Sequence, residues 1–239
     1  VPSIDELRIK IFADGADLPG ILAMAVKPYV RGFTTNPTLM RKAGITDYRA
    51  FAKEAIAAVN GRPISFEVFA DDFAGMERQA LDIAGWGDTI NVKIPVTDTA
   101  GRSTAQLVSR LSGRGVMVNV TAVMTLAQVS EIVAALNVAT PAIISIFAGR
   151  IADTGRDPVP HMMKAVAIAS AKPKAEILWA SPRELLNIFQ ADACGCHIVT
   201  ATNDLLTKLE TTVGKDLLNY SRETVEMFHR DAVAANYTL

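Results

Sequence analysis

Short apolar runs alternate along this chain with longer stretches whose apolar positions recur every three or four residues. The short runs are Arg8–Ala13, Arg31–Thr34, Pro63–Val68, Thr89–Ile94, Val116–Val120, Ala142–Ser145, Glu176–Trp179 and His197–Val199. They are strand-sized and mostly dense in Val and Ile, as strands buried on both faces are. The longer stretches carry a helical period. Tyr48–Val59 places Phe51, Ala55, Ile56 and Val59 on one face, and Ser103–Ser112 does so with Ala105, Leu107, Val108 and Leu111. Leu126–Leu136, Pro160–Ala171, Pro182–Gln190 and Asn203–Leu209 behave alike. Ser103, Thr125, Pro160 and Pro182 read as helix-start signals.

Strands alternating with helices predict a parallel sheet with right-handed crossovers. Eight such units in 239 residues predict closure of that sheet. The expected fold is therefore α/β, a (β/α)8 TIM barrel spanning residues 1–239 as a single domain. An open dinucleotide-binding sheet is the rival, but it needs Gly-x-Gly-x-x-Gly after the first strand. The chain has Asp14-Gly15-Ala16-Asp17-Leu18-Pro19-Gly20 there. Arg222–Asn236 reads as an additional C-terminal helix, placed to cover the barrel or to reach a neighbouring subunit.

Composition narrows the function. Half the residues are hydrophobic, 21% are charged and the formal net charge is -1. No basic surplus or stripe marks a nucleic-acid binder. No apolar run nears the roughly 18 residues of a membrane span, and Val1 to Lys10 lacks the apolar core of a secretory leader. Cys194 and Cys196 are the two cysteines. They complete neither a disulfide framework nor a zinc site. They are expected to be small buried residues on a strand, free thiols suited to a reducing cytoplasm. No metal or other cofactor is expected.

In a barrel of this type, polar residues at the carboxyl ends of strands face the active-site mouth. Seven of the eight predicted strands end in such residues: Asp14, Thr34-Thr35-Asn36, Glu67, Lys93, Asn119 with Thr121, Ser145 leading to Arg150, and Ser181 followed by Arg183. Lys93 is the most informative, because it lies between Val92 and Ile94-Pro95 in a strand expected to be buried. Burying an ammonium is costly, and desolvation favours the neutral amine that attacks carbonyls. The competing reading is a structural ion pair with Glu67 or Asp14. Taken singly, Asp14 reads as a helix cap and Asn36 as a turn residue. Glu67 in an apolar strand needs a partner. Arg150 and Arg183, after adjacent strands, suit a phosphate. Ser181 before Pro182 is expected to start a helix whose N–H groups bind an anion.

Together these motifs resemble the transaldolase family, especially its short members, which include fructose-6-phosphate aldolases. The matching pieces are Phe12-Ala13-Asp14, Gly32-Phe33-Thr34-Thr35-Asn36-Pro37, Ser65-Phe66-Glu67-Val68, Val92-Lys93-Ile94-Pro95, Asn119-Val120-Thr121, Ile146-Phe147-Ala148-Gly149-Arg150-Ile151 and Trp179-Ala180-Ser181-Pro182-Arg183. The resemblance implies that Lys93 forms a Schiff base with a ketose carbonyl. It implies that Asp14 handles the proton of the cleaved hydroxyl, and that Glu67 and Thr121 hold a catalytic water. Asn36 and Asn119, with Thr35 and Ser145, are implied to bind a dihydroxyacetone unit, and Arg150, Ser181 and Arg183 a phosphate. It implies sugar phosphates as partners, a place in pentose phosphate chemistry, and homo-oligomers such as pentamers or decamers. The fructose-6-phosphate aldolases usually carry glutamine where this chain has Glu67 and tyrosine where it has Phe147. Those differences favour transfer to an acceptor over release of free dihydroxyacetone, the alternative outcome. A barrel that binds a sugar phosphate without turning it over is the alternative of another class. Ser181-Pro182-Arg183 departs from the family, where an aromatic or similar residue often takes the middle place.

Overall fold

The computed structural model describes residues 2–238. Its strands are β1 (Lys10–Asp14), β2 (Val30–Thr34), β3 (Ile64–Glu67), β4 (Ile90–Pro95), β5 (Val118–Val123), β6 (Ala142–Ile146), β7 (Ala175–Trp179) and β8 (Ile198–Thr202). They pair in parallel and in sequence order, and β8 closes on β1. The helices are α1 (Leu18–Ala25), α2 (Pro37–Lys42), α3 (Tyr48–Ala58), α4 (Phe73–Ala84), α5 (Ala105–Gly113), α6 (Leu126–Ala135), α7 (Ala148–Asp153), α8 (Val159–Ala169), α9 (Leu186–Ala193), α10 (Asn203–Thr212) and α11 (Leu217–Ala234). The fold is the closed (β/α)8 barrel with an extra C-terminal helix that the pattern predicts.

Local chemistry sets the helix starts. The side chains of Asp17, Asn36, Asp47, Asp72 and Asp216 each accept a hydrogen bond from the backbone N–H three residues on. Such caps are worth about 1 kcal/mol apiece. One face of each strand packs outward against the helices. Val30, Phe33, Phe66, Val92, Ile94, Val120, Ile144 and Trp179 belong to that core. The other face fills the barrel. Phe12 packs there with Ile143, Leu178, Ala180 and Ile198. Gly32 makes room for it: a Cβ at Gly32 would lie 2.5 Å from Phe12 Cζ, so the ring occupies the space a side chain would take. Below that ring, at the amino end, Lys10 Nζ donates to Glu176 Oε2 at 2.7 Å and ties β1 to β7.

Several predicted boundaries move, each for a local reason. The helix expected from Pro182 begins at Leu186. Asn187 Oδ1 accepts from the N–H of Arg183 and of Glu184, at 2.7 and 3.1 Å, and holds the preceding segment as a loop. Ser181 therefore does not start a helix; its backbone is left-handed, with φ 57°. The cysteines are not on a strand. Cys194 caps the end of α9, and Cys196 lies in the loop before β8. Both are buried, as expected, with sulfurs 3.5 Å apart. His197 also precedes β8, where its Nδ1 accepts from Ile177 N–H at 3.0 Å. Ser103 is not the cap of α5; that place is Thr104's. The C-terminal helix begins at Leu217, five residues before the predicted start, because Asp216 caps it. No residue of α11 is buried. It leaves Leu217, Leu218, Val225 and Phe228 exposed.

Candidate active site

Lys93 is placed by register. β4 runs between β3 and β5, with Glu67 and Asn119 as its Cα partners on either side, so the three side chains point into the barrel together. The Lys93 side chain is 8% exposed, and its Nζ lies 2.9 Å from Glu67 Oε2. The same ammonium donates to the Thr35 carbonyl at 2.8 Å. Of the two ion-pair partners expected for Lys93, the structure pairs it with Glu67, and the pair holds the amine at the mouth.

Glu67 is itself held by a group the sequence did not reveal. Where β3 leaves β2, its last residue has no strand partner on that side. Tyr48 of α3 fills the gap. Its hydroxyl donates to the Glu67 carbonyl at 2.8 Å and accepts from the Glu67 N–H at 2.9 Å. Burial pushes the Tyr48 phenol well above its usual range, so it keeps its proton. Tyr48 packs edge-on against Phe66 and Phe69 and tilted against Trp86, which fixes its ring.

Asp14 ends β1, opposite Thr34 of β2. Thr34 Oγ1 donates to its carboxylate at 2.7 Å. Burial pushes the Asp14 carboxyl above the ordinary carboxylate range. The Lys93 charge and the Thr34 hydrogen bond oppose that rise, the Glu67 charge adds to it, and Asn36 opposes it slightly. An open pocket of about 340 Å³ lies beside Asp14, with Asp17, Lys42 and Asp204 also lining it.

Asn119 continues the network on the other side of Lys93. Its Nδ2 donates to Ser65 Oγ at 3.1 Å, and its Oδ1 accepts from Ser145 Oγ at 2.6 Å. All three side chains are buried, so the amide orientation is fixed from both ends. Thr121 follows on β5 and is buried. Directly after it Ala122 adopts φ 61°, and the register with β6 shifts, a bulge at the mouth of the kind that re-aims side chains. Thr35 turns its hydroxyl away from the mouth's open space, donating to the Ser65 carbonyl at 2.9 Å. Asn36 spends its Oδ1 on the cap of α2 and turns its remaining polarity toward Asp14.

The two arginines stand on the rim. Arg150, on α7, is exposed, with its guanidinium carbon 5.6 Å from the centre of the Phe147 ring. Arg183 is exposed and forms a two-point pair with Asp153, its Nε donating to Oδ1 at 3.1 Å and its Nη2 to Oδ2. Gly149 lets α7 meet the segment after β7: a Cβ there would lie 1.6 Å from the Ser181 carbonyl oxygen. The structure thus gathers half-buried Asp14 and Glu67 with buried Lys93 and Asn119 and their hydroxyl neighbours in one cluster. It keeps Arg150, Ser181 and Arg183 in a separate group at the β6–β7 edge.

The family model for transaldolase/fructose-6-phosphate aldolase matches residues 11–238. A probable transaldolase of Dehalococcoides mccartyi is 33% identical over 84% of this chain and 90% of its own length. One from Carboxydothermus hydrogenoformans is 34% identical over the same shares. Among solved structures, a dihydrodipicolinate synthase from Thermotoga maritima has a TM-score of 0.56 at 11% identity, covering 84% of this chain and 72% of its own. A structure titled native KDPGal has a TM-score of 0.54 at 12% identity, covering 96% and 97%. At such identities these two speak for the barrel alone.

Proposed function

We propose that this chain, which belongs to the transaldolase/fructose-6-phosphate aldolase family, is a transaldolase that moves a dihydroxyacetone unit between sugar phosphates through a Schiff base on Lys93. The observation that carries the reading is the buried Lys93 amine held between Glu67 and the Thr35 carbonyl. Glu67 is close enough to take the ammonium proton, leaving an amine that attacks the ketose carbonyl carbon. Glu67 and Thr121, through a water, then protonate the departing hydroxyl, and an iminium remains. Asp14 takes the proton of the C4 hydroxyl. The C3–C4 bond breaks, its electrons pass into the iminium, and an aldehyde leaves. The resulting enamine attacks an acceptor aldehyde, and Asp14 returns the proton to the new alkoxide. Water then releases the product from Lys93 by the reverse of the first steps.

Asn119, Ser145 and Asn36 are the proposed ligands of the dihydroxyacetone unit, Thr35, expected among them, instead holding Lys93 through its carbonyl, and Arg150, Ser181 and Arg183 are those of a phosphate. Free buried thiols at Cys194 and Cys196 support a cytoplasmic setting. Among the described residues no helix is long and apolar enough to cross a membrane. The exposed apolar residues of α11 support self-association into pentamers or decamers; a monomeric mass by light scattering would remove that element of the reading.

Borohydride trapping tests the proposal. With fructose 6-phosphate, reduction is expected to add a three-carbon mass at Lys93, and Lys93→Ala is expected to lose both the adduct and on the order of 10⁴-fold or more in kcat. No adduct, or an adduct that survives Lys93→Ala, sinks the Schiff base. Transfer to erythrose 4-phosphate with little free dihydroxyacetone supports transaldolase; dihydroxyacetone as the main product overturns it in favour of an aldolase.

A further inference from the structure

One buried hydroxyl beneath the site has no part in the chemistry so far. Thr200 lies on β8, whose Cα register pairs Thr200 with Phe12 and Thr202 with Asp14. Thr200 therefore sits one inward-facing layer below Asp14, and it is 6% exposed. Its Oγ1 lies 2.5 Å from Thr34 Oγ1, and Thr34 Oγ1 lies 2.7 Å from Asp14 Oδ1. Three strands thus contribute one continuous line, Thr200 on β8, Thr34 on β2 and Asp14 on β1 between them.

The proton count fixes the direction of that line. With Asp14 ionised, as its proposed role of proton acceptor requires, the carboxylate only accepts, so Thr34 gives its single proton to Asp14. The Thr34 oxygen is then the acceptor in its contact with Thr200, and Thr200 must donate. We propose that Thr200 is a positioning residue for proton transfer at Asp14: it donates to Thr34, sharpens the Thr34 hydrogen bond and keeps the carboxylate aimed at the hydroxyl of the bond to be cleaved. This rests on the Schiff-base reading above. Hydrogen bonds in such a chain polarise one another, and the effect is greatest where the last acceptor is charged and buried. Thr200 itself touches no substrate.

Asp14 is the group whose protonation is at stake. Lys93 on β4 and Glu67 on β3 are the charged groups that act on it inside the barrel. Asp17, Lys42 and Asp204 line the pocket on its outer side. None of these is changed by a substitution at Thr200. Weakening a hydrogen bond to the charged form raises a carboxyl pKa. Thr200→Val should therefore move the acid limb of the kcat profile to higher pH and lower kcat about five- to tenfold, with little change in KM.

The decisive readout is the trapped adduct. Asp14 acts after the iminium has formed, so Thr200→Val should still trap fructose 6-phosphate on Lys93. The mass should shift from the three-carbon adduct of the cleaved sugar toward the intact six-carbon adduct. Thr200→Ser keeps a hydroxyl and should restore both the pH profile and the three-carbon adduct. Should Thr200→Val fold poorly, Thr200→Ala reads the same two quantities. Wild-type pH profile, kcat and adduct mass in a folded hydroxyl-less variant would overturn the proposal while leaving the Schiff base intact. Absence of any adduct in the unmodified protein would overturn both together.

Discussion

Between β1 and β5 the polar groups of the mouth face one another: Lys93 rests on Glu67 and Thr35, Asp14 on Thr34, Asn119 on Ser65 and Ser145. At the β6–β7 edge they face outward. Arg183 is folded onto Asp153, and Arg150 lies against Phe147. The first region is buried or half-buried and its polar groups are paired with one another, so its geometry stands before any ligand arrives. The second has both its arginines exposed, and, like the first at Ala122, it holds one left-handed residue. Ser181 sits in a left-handed conformation a non-glycine residue rarely holds, pressed against Gly149. The difference teaches a contrast: the cluster around Lys93 is preformed, whereas Arg183 would have to give up its internal partner to hold an anion.

The sharpest way to break this contrast is Arg183→Ala. If the edge serves to anchor a phosphate, KM for a phosphorylated donor should rise about ten- to a hundredfold, as expected for a lost two-point charged contact. The KM for an unphosphorylated ketose should barely move. Equal losses for both would dissolve the distinction. A smaller effect is expected from the preformed side. Tyr48→Phe strips the Glu67 backbone of both its partners, so stability should fall by about 1–3 kcal/mol. Denaturant unfolding reads that loss, and kcat should fall several-fold with KM nearly constant; a rise in KM alone would place Tyr48 outside the positioning of Glu67. The smallest effect tests the exchange of partners. The Arg183–Asp153 pair is exposed on both sides, so it is worth at most about 1 kcal/mol. Asp153→Asn should lower KM for the phosphorylated donor by a few-fold at low salt, and less at high salt. An unchanged or higher KM would mean that Asp153 does not compete with the ligand.

Much of the fold can be read from the order of residues, because a buried parallel strand announces itself as a run of Val and Ile. The crossovers were less legible. α4 buries Met76, Ala80 and Ile83 at helical spacing, yet Gly75 and several charges dilute the signal. α2 and α7 are too short for periodicity to reveal. The sequence could bring Asp14, Glu67 and Lys93 to one mouth, since strand ends converge in any closed barrel. It could not show that the Thr35 carbonyl, rather than its hydroxyl, meets Lys93, because backbone groups are identical at every position. Nor could it show Tyr48 reaching Glu67 from an intervening helix, or Asn187 delaying α9. Such contacts depend on how loops fold back, and no local pattern encodes them.

The Phe12 ring over Gly32 has a kinetic meaning. It lies between the catalytic end and the cleft of about 230 Å³ at the opposite end, whose lining includes Phe12, Lys10 and Glu176. The ring therefore fills the barrel interior below the layer that carries Asp14, and separates that layer from the cleft at the amino end. If the proposed transfer takes place here, the first aldehyde departs by the mouth through which the second arrives. In that reading the covalent enamine makes the transfer ping-pong, and a shared mouth makes the two aldehydes rivals for one position. The lifetime of the proposed enamine would then depend on exchange at the rim, where the arginines stand, as well as on the chemistry at Lys93.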